Sequence, residues 1–246
     1  MCARDFRDEY KYCPLCGSPF DKEDDPQFWA RRALTLRMNG DDLSTSIVAL
    51  RKASELAPAN AHLLSGLGNL YYRAGDLEAS IEAFKKAIAL KPDYPDAHYD
   101  IALAYYRAGH IHFAIEALER CVELSRDYVG AYYWLGISYY HAGKQSEAIA
   151  AFRHLLALSP ASVIANYHLG VNYASLGKYD KAIGNFKRVL EVCPEDQAAA
   201  YHLGMAYYNA NKVFEATHVF RDALAQDPQD QRAQQMYEML TEVPSI

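Results

Sequence analysis

The sequence predicts an all-α chain built as a solenoid of stacked helix pairs, and three ladders of residues carry that prediction. Gly75, Gly109, Gly143 and Gly177 recur every 34 residues, with Asn211 on the next rung. A second ladder of small residues runs through Gly68, Ala102, Gly136, Gly170 and Gly204, and a third through Pro58, Pro92, Pro160, Pro194 and Pro228. Three registers in phase describe two short antiparallel helices per unit, each unit burying its apolar face only against its neighbours.

Each ladder marks one element. In the first helix of a unit the small residue follows Leu67, Ile101, Leu135, Leu169 or Leu203 and precedes, by three positions, Tyr71, Tyr105, Tyr139, Tyr173 or Tyr207. At helical spacing these share one face. The small residue lets the partner helix approach, and the tyrosine ring fills the space beside it. The glycines mark the turn. Ser80, Ala114, Ala148, Ala182 and Ala216 then lead to Phe84, Leu118, Phe152, Phe186 and Phe220, and on to Ile88, Val122, Leu156, Leu190 and Leu224, the buried stripe of the second helix. The prolines end that helix, because proline removes a backbone donor and clashes with the preceding turn.

With this series of small residue, tyrosine, glycine, alanine and aromatic in place, the chain resembles the tetratricopeptide repeat (TPR) family over roughly residues 27 to 230. The resemblance implies a right-handed superhelical solenoid of about six repeats. An earlier, degenerate repeat is read from Trp29, Ala33, Leu36 and Gly40 on its first helix and Ile47, Leu50, Ala53, Leu56 and Pro58 on its second, its turn from Gly40 to Leu43 holding one residue more than the others. Three segments follow: residues 1–25 as an N-terminal knuckle and acidic linker, 26–230 as the solenoid, and 231–246 as a C-terminal capping helix and tail. The tail is expected to cover the last repeat, with Met239 and Leu240 as its buried contacts.

Composition removes several classes of function. The 246 residues carry a net charge of −6 with no cluster of lysine or arginine, which argues against a nucleic-acid surface. No apolar run reaches the length of a membrane span, and the N-terminus lacks the apolar stretch of a secretory signal, so no membrane insertion and a cytoplasmic location are expected. Five cysteines give no disulfide framework.

Cys13 and Cys16, within Tyr12-Cys13-Pro14-Leu15-Cys16-Gly17, have the spacing of a metal knuckle, in which a turn brings two thiolates onto one tetrahedral zinc. The segment resembles one half of a rubredoxin-like zinc ribbon. Cys2 and a histidine such as His62 would complete four ligands, or two chains would each contribute a knuckle. A decayed knuckle without metal, and a redox pair, are the alternatives.

The nine histidines do not form a catalytic set. His168 and His202 are one repeat apart, on the order of 10 Å by helix packing, too far to share a metal, and surface or groove hydrogen bonding is expected of them. His110 and His112 are two apart at a helix start and point in different directions. There is no glycine-rich phosphate loop and no nucleophile elbow, so no enzyme is expected.

What remains is the groove face of the first helices. Counting three before and four after the small residue places Ser65, Tyr99, Tyr133, Tyr167 and Tyr201, then Tyr72, Tyr106, Tyr140, Ala174 and Tyr208, toward the groove, with Arg73, Arg107, His141, Ser175 and Asn209 one step on. Tyrosine offers a large contact area at low entropic cost and a hydroxyl for backbone groups. The expectation is a non-enzymatic adaptor that binds a peptide or protein in this groove, with Arg73 and Arg107 favouring acidic partners. The carboxylate clamp of TPR co-chaperones is not matched: Asn69 fits one position, but Ser65 replaces its lysine, and Asp100 and Leu103 stand where the next repeat needs asparagine. The ending from Tyr237 to Pro244 resembles the tails of magnetosome-associated TPR scaffolds of the MamA type, which implies self-association. A zinc- or redox-sensing regulator built on Cys13 and Cys16 is the third reading.

Overall fold

The computed structural model describes residues 25–38 and 43–242. The knuckle with Cys2, Cys13 and Cys16, most of the acidic linker and all but Leu43 of the turn from Gly40 to Leu43 lie outside the described residues. Among the described residues there are thirteen α-helices and no strand, as the period requires. The chain divides into two compact units, residues 1–124 and 125–246.

The first unit holds three helix pairs: α1 (Pro26–Met38) with α2 (Leu43–Leu56), α3 (Ala61–Ala74) with α4 (Leu77–Leu90), and α5 (Pro95–Arg107) with α6 (Ile111–Leu124). Consecutive pairs meet through α2 on α3 and α4 on α5. The second unit repeats the plan with α7 (Val129–His141) and α8 (Gln145–Leu158), α9 (Val163–Ser175) and α10 (Tyr179–Val192), and α11 (Gln197–Asn209) and α12 (Val213–Gln226). There α8 packs on α9, α10 on α11, and α12 on a final helix, α13 (Gln231–Thr241).

The turn within each pair closes in the same way. Gly75, Gly109, Gly143 and Gly177 have φ of 83°, 80°, 72° and 67°, and Asn211, the non-glycine rung, has φ of 58°. A left-handed residue after the helix lets the next N–H reach back to the tyrosine carbonyl: Asp76 donates to Tyr71 at 3.0 Å, Lys178 to Tyr173 at 2.8 Å and Lys212 to Tyr207 at 2.9 Å. A carbonyl that would otherwise be left open at the end of the first helix is thereby given a donor. At helix starts, Asn60, Asp76, Ser162, Asp196 and Asp230 accept backbone N–H groups through their side chains. The prolines of the third ladder stand two residues past the second helices, as at Pro92 after Leu90 and Pro194 after Val192.

The close approach inside each pair depends on the small residue. A methyl group on Gly68 would lie 2.8 Å from the Phe84 ring, and on Gly136, Gly170 and Gly204 it would lie 2.6, 2.6 and 2.5 Å from Phe152, Phe186 and Phe220. All four rings are fully buried. Where alanine takes the small position, at Ala102, leucine takes the ring position, at Leu118, and both stay buried. One methyl is exchanged for a smaller partner, so the total volume is kept.

Two expectations about burial are corrected. Met239 is 44% exposed; α13 docks instead through Ala233, Met236, Tyr237 and Leu240, which share one helical stripe that Met239 misses. Ser65, assigned to the groove, is buried, its side chain too short to rise past its neighbours. The tyrosine after the small residue behaves as expected at Tyr207, which is buried, and at Tyr105, which packs half-buried on Ile81, Phe84, Ile101 and Ala104.

Candidate protein-interaction surface

On the first unit the face of α3 and α5 is polar and already engaged. The Arg107 guanidinium donates to the Tyr72 carbonyl at 3.0 Å and lies 5.2 Å from the centre of that residue's ring. A guanidinium held by a carbonyl and a ring is fixed as part of the wall, which weakens its expected part as a free attractor of acidic segments. Arg73, the next residue of α3, is exposed. The Asn69 amide donates to the Asp100 carboxylate at 2.8 Å, so the one residue that matched the carboxylate clamp is occupied by a neighbouring acid. Burial pushes the Asp100 carboxyl above its usual range, partly offset by the Asn69 hydrogen bond, and Asp96 adds to the rise. Behind it Cys121 is fully buried, and burial together with Asp96 and Asp100 pushes its thiol up to about 12. It is a core residue, not a nucleophile. Tyr99 and Tyr106 are half-buried on α5.

On the second unit the face is aromatic and continuous across α7, α9 and α11. Tyr133 of α7 meets His168 of α9 at 5.9 Å between ring centres, and Tyr167 of α9 meets His202 of α11 at 5.7 Å. Each histidine lies flat on the buried phenylalanine of the repeat before it: His168 on Phe152 at 5.1 Å and 9°, His202 on Phe186 at 5.6 Å and 14°. Burial lowers the affinity of both imidazoles for a proton; at His202, Arg232 lowers it further and Asp196 opposes. The row ends at Tyr201, which packs on Phe220 at 6.0 Å with the Arg232 guanidinium 5.0 Å from its ring centre. Tyr140 and Tyr208 are the most open rings of the row, at 38% and 37% exposure, and Ile164 is 47% exposed. His141 is exposed at the end of α7, its ring against Tyr140.

Of the tyrosines expected in the groove of the second unit, Tyr133, Tyr167 and Tyr201 stand in one row of ring contacts with three further residues that the sequence reading did not assign to it. His168 and His202 are part of the wall, stacked on core rings, where surface or groove hydrogen bonding was expected. Arg232 comes from α13, beyond the repeats that were counted. The sequence holds a signal for this surface: α7, α9 and α11 contain no aspartate, glutamate, lysine or arginine at any position, whereas α3 carries Arg73 and α5 carries Asp96, Asp100 and Arg107.

Among the described residues no group of three or more histidine, cysteine, aspartate or glutamate side chains could hold a metal ion. His62, the candidate fourth zinc ligand, bonds the Tyr94 hydroxyl at 2.9 Å. No described helix is long and apolar enough to cross a membrane.

Family models described as TPR or tetratricopeptide repeat match residues 68–109, 99–163 and 173–240. A crystal structure of MamA is 31% identical, with a TM-score of 0.63, over 65% of this chain and 92% of that one. The chain belongs to the tetratricopeptide repeat family. Two further TPR structures share the fold at lower identity. The C-terminal part of a TPR repeat-containing protein from Cytophaga hutchinsonii is 18% identical with a TM-score of 0.75, covering 87% of this chain and 88% of its own. YrrB, described as a TPR protein with an unusual peptide-binding site, is 21% identical with a TM-score of 0.70, covering 76% and 96%. No curated protein matches the sequence.

Proposed function

We propose that this TPR chain is a non-enzymatic scaffold that captures a protein or peptide partner along its first helices. The observation that supports this is the row of tyrosines on α7, α9 and α11, in which Tyr167 and Tyr201 rest on the buried Phe186 and Phe220 and so are held in place before a partner arrives. The test is capture from an extract of the source cell by the full chain and by a Tyr140→Ala, Tyr208→Ala double variant. Both rings are more than a third exposed, so each change should alter stability by no more than about 0.5 kcal/mol. Loss of an aromatic anchor weakens binding by about 1–2 kcal/mol each, and the partner should drop out of the captured set. Undiminished capture by the variant, with loss on deleting residues 1–25, would move the function to the N-terminus.

Self-association is a second reading, favoured by the 31% identity to MamA over nearly all of that chain. Light scattering behind size exclusion at several concentrations tests it, and a mass that stays monomeric throughout would end it. The cysteine pair supplies a third element of the proposal: Cys13 and Cys16 hold zinc. Reduced protein prepared without chelator should carry about one zinc per chain, or about half if two chains share the site. A Cys13→Ser, Cys16→Ser variant should lose the metal with the repeats still folded. Zinc-free wild type would leave a decayed knuckle.

A further inference from the structure

One rung of the repeat changes sign between the units. The residue after the left-handed turn position is Asp76 and then His110 in the first unit, and Lys144, Lys178 and Lys212 in the second. Asp76 caps α4, its side chain accepting the Ala79 N–H at 3.1 Å. The three lysines stand at the N-caps of α8, α10 and α12 with no side-chain cap bond, and a cation there opposes the helix dipole. Helix stability therefore does not account for them. Neighbouring turns lie side by side: Lys212 donates to Asp180 at 2.7 Å, and Lys178, Lys181 and Lys212 line a cleft of about 370 Å³ with Tyr179 and Asp180. Lys144 and Lys181 lie over the Tyr139 and Tyr173 rings, at 5.8 and 5.5 Å from their centres, and both remain exposed. Phe214 stands on the rung held by Glu78, His112, Ser146 and Asp180 in the other repeats. It is 81% exposed, beside Val213 at 45%. Because Asp180 borders the cleft from that rung, Phe214 continues the same edge one repeat on.

We infer that this turn edge of the second unit docks on the surface of an anionic lipid bilayer, the Phe214 ring entering the headgroup layer and the lysines facing the headgroups. The inference goes beyond the groove reading and does not depend on it. A ring that stands free on a helix start needs an apolar medium to meet it, and the boundary of a bilayer supplies one without a shaped partner. The lysines are compact charges on flexible stems, spaced along the turns by about one repeat, roughly 10 Å. They converge on no single point, which suits a diffuse negative surface better than one carboxylate. Glu147, Asp180 and Glu215 stand on the same turns. Four lysines against these three acids leave an excess of one positive charge on the edge, in a chain of net charge −6. Charge alone is thus a weak hold, and the ring has to supply the second signal that lasting attachment requires. No described helix is long and apolar enough to cross a membrane, so the docking is peripheral.

The experiment is co-sedimentation of the full chain with vesicles of phosphatidylcholine alone and with vesicles of equal parts phosphatidylcholine and phosphatidylserine. Lys178, Lys181 and Phe214 are exposed, and glutamate at a helix start suits the dipole, so a Lys178→Glu, Lys181→Glu variant and a Phe214→Ser variant should fold. Circular dichroism checks each one. The control is Lys85→Glu, Lys86→Glu on α4, two exposed residues of the first unit with the same change in charge. The expected result is binding to the anionic vesicles only, weakened about tenfold or more by high salt and by the Lys178→Glu, Lys181→Glu pair. Phe214→Ser should weaken it about fivefold, and the α4 control less than about twofold. Absence of sedimentation, equal binding to neutral vesicles, or a loss in the control as large as at the edge would overturn the inference. Unchanged binding of Phe214→Ser would overturn it too, because charge alone would then hold the protein. If polyglutamate binds with this dependence on Lys178, Lys181 and Phe214 and vesicles do not, the edge belongs to an acidic protein, and the inference falls. None of these outcomes touches capture by the groove tyrosines, which is read with its own variant.

Discussion

The two units share one period and one set of turns, yet they differ in the interior and on the open face. In the first unit the pair α5 and α6 closes with Ala102 on Leu118, and the face of α3 and α5 is held by Asn69 on Asp100 and by Arg107 on Tyr72. In the second unit all three pairs close with glycine on phenylalanine, α7, α9 and α11 carry no charged residue of their own, and the one guanidinium on the face, Arg232, comes from α13. The repeat therefore constrains a sum of volumes at two positions, not the residues themselves. It constrains the groove positions less still, and those are where the units diverge.

The largest effect should come from removing a ring of the second unit. Phe186 is fully buried and supports His202 and Tyr167 on its far side. Phe186→Ala should cost about 3–5 kcal/mol, read as a fall in the urea midpoint, and should loosen the open face as well. A cost near 1 kcal/mol would mean that the pair can collapse into the space, and the volume argument would fail.

The exchange of pairs can be tested next. Gly170→Ala places a methyl 2.6 Å from Phe186 and should cost about 1–3 kcal/mol by overpacking. Adding Phe186→Leu, which writes the Ala102 and Leu118 pair into the second unit, should recover part of that loss. The converse in the first unit is Leu118→Phe, destabilising alone and relieved by Ala102→Gly. Additive costs in either double-mutant cycle would show that the two positions are independent.

The difference between what the sequence shows and what it conceals follows from distance along the chain. The helices, their turns and the small-residue contact are set by neighbours within 34 residues, and Asn211 even reports its left-handed φ by standing on a glycine rung. Contacts that cross from one repeat to the next are less legible. His168 lies on Phe152 and His202 on Phe186 because the first helix of one repeat leans on the second helix of the repeat before. That offset is not written in the ladder. Arg107 could not be foreseen as bound to the Tyr72 backbone, since a carbonyl leaves no mark in a sequence. The absence of charge on three helices was fully legible, but it becomes informative only once their fronts are known to be open.

The turns give a smaller contrast. The Cβ added by Gly143→Ala would meet nothing within 4 Å, so the whole cost is the left-handed backbone at φ 72°, about 1–2 kcal/mol. Asn211→Gly occupies the same conformation in the last turn and should change stability by less than about 0.5 kcal/mol. Equal effects at the two sites would mean that contacts, not φ, set the turn.

The smallest effect expected is in the pH dependence, where the two units should have opposite signs. In the second unit, burial depresses the imidazoles of His168 and His202 below the ordinary value of 6.5. Between that value and the lower folded one the unfolded chain binds more protons, so stability present above pH 6.5 is lost as pH falls through the folded pKa. The rings around His168 are Tyr133, Phe152 and Tyr167; those around His202 are Tyr167, Phe186 and Tyr201, with Arg232 and Asp196 acting on it in opposite directions. In the first unit Asp100 is raised above 3.8 by burial, so the folded chain binds more protons and stability is lost as pH rises through its folded pKa. Both effects are reduced because these side chains keep part of their surface in water. Urea unfolding across the acid range should show a His168→Gln, His202→Gln variant with a flatter fall below pH 6.5, and an Asp100→Asn variant with a flatter loss on the carboxylate side. If the histidine variant keeps the wild-type slope, the stacked imidazoles are as well hydrated folded as unfolded, and burial against Phe152 and Phe186 does not set their protonation.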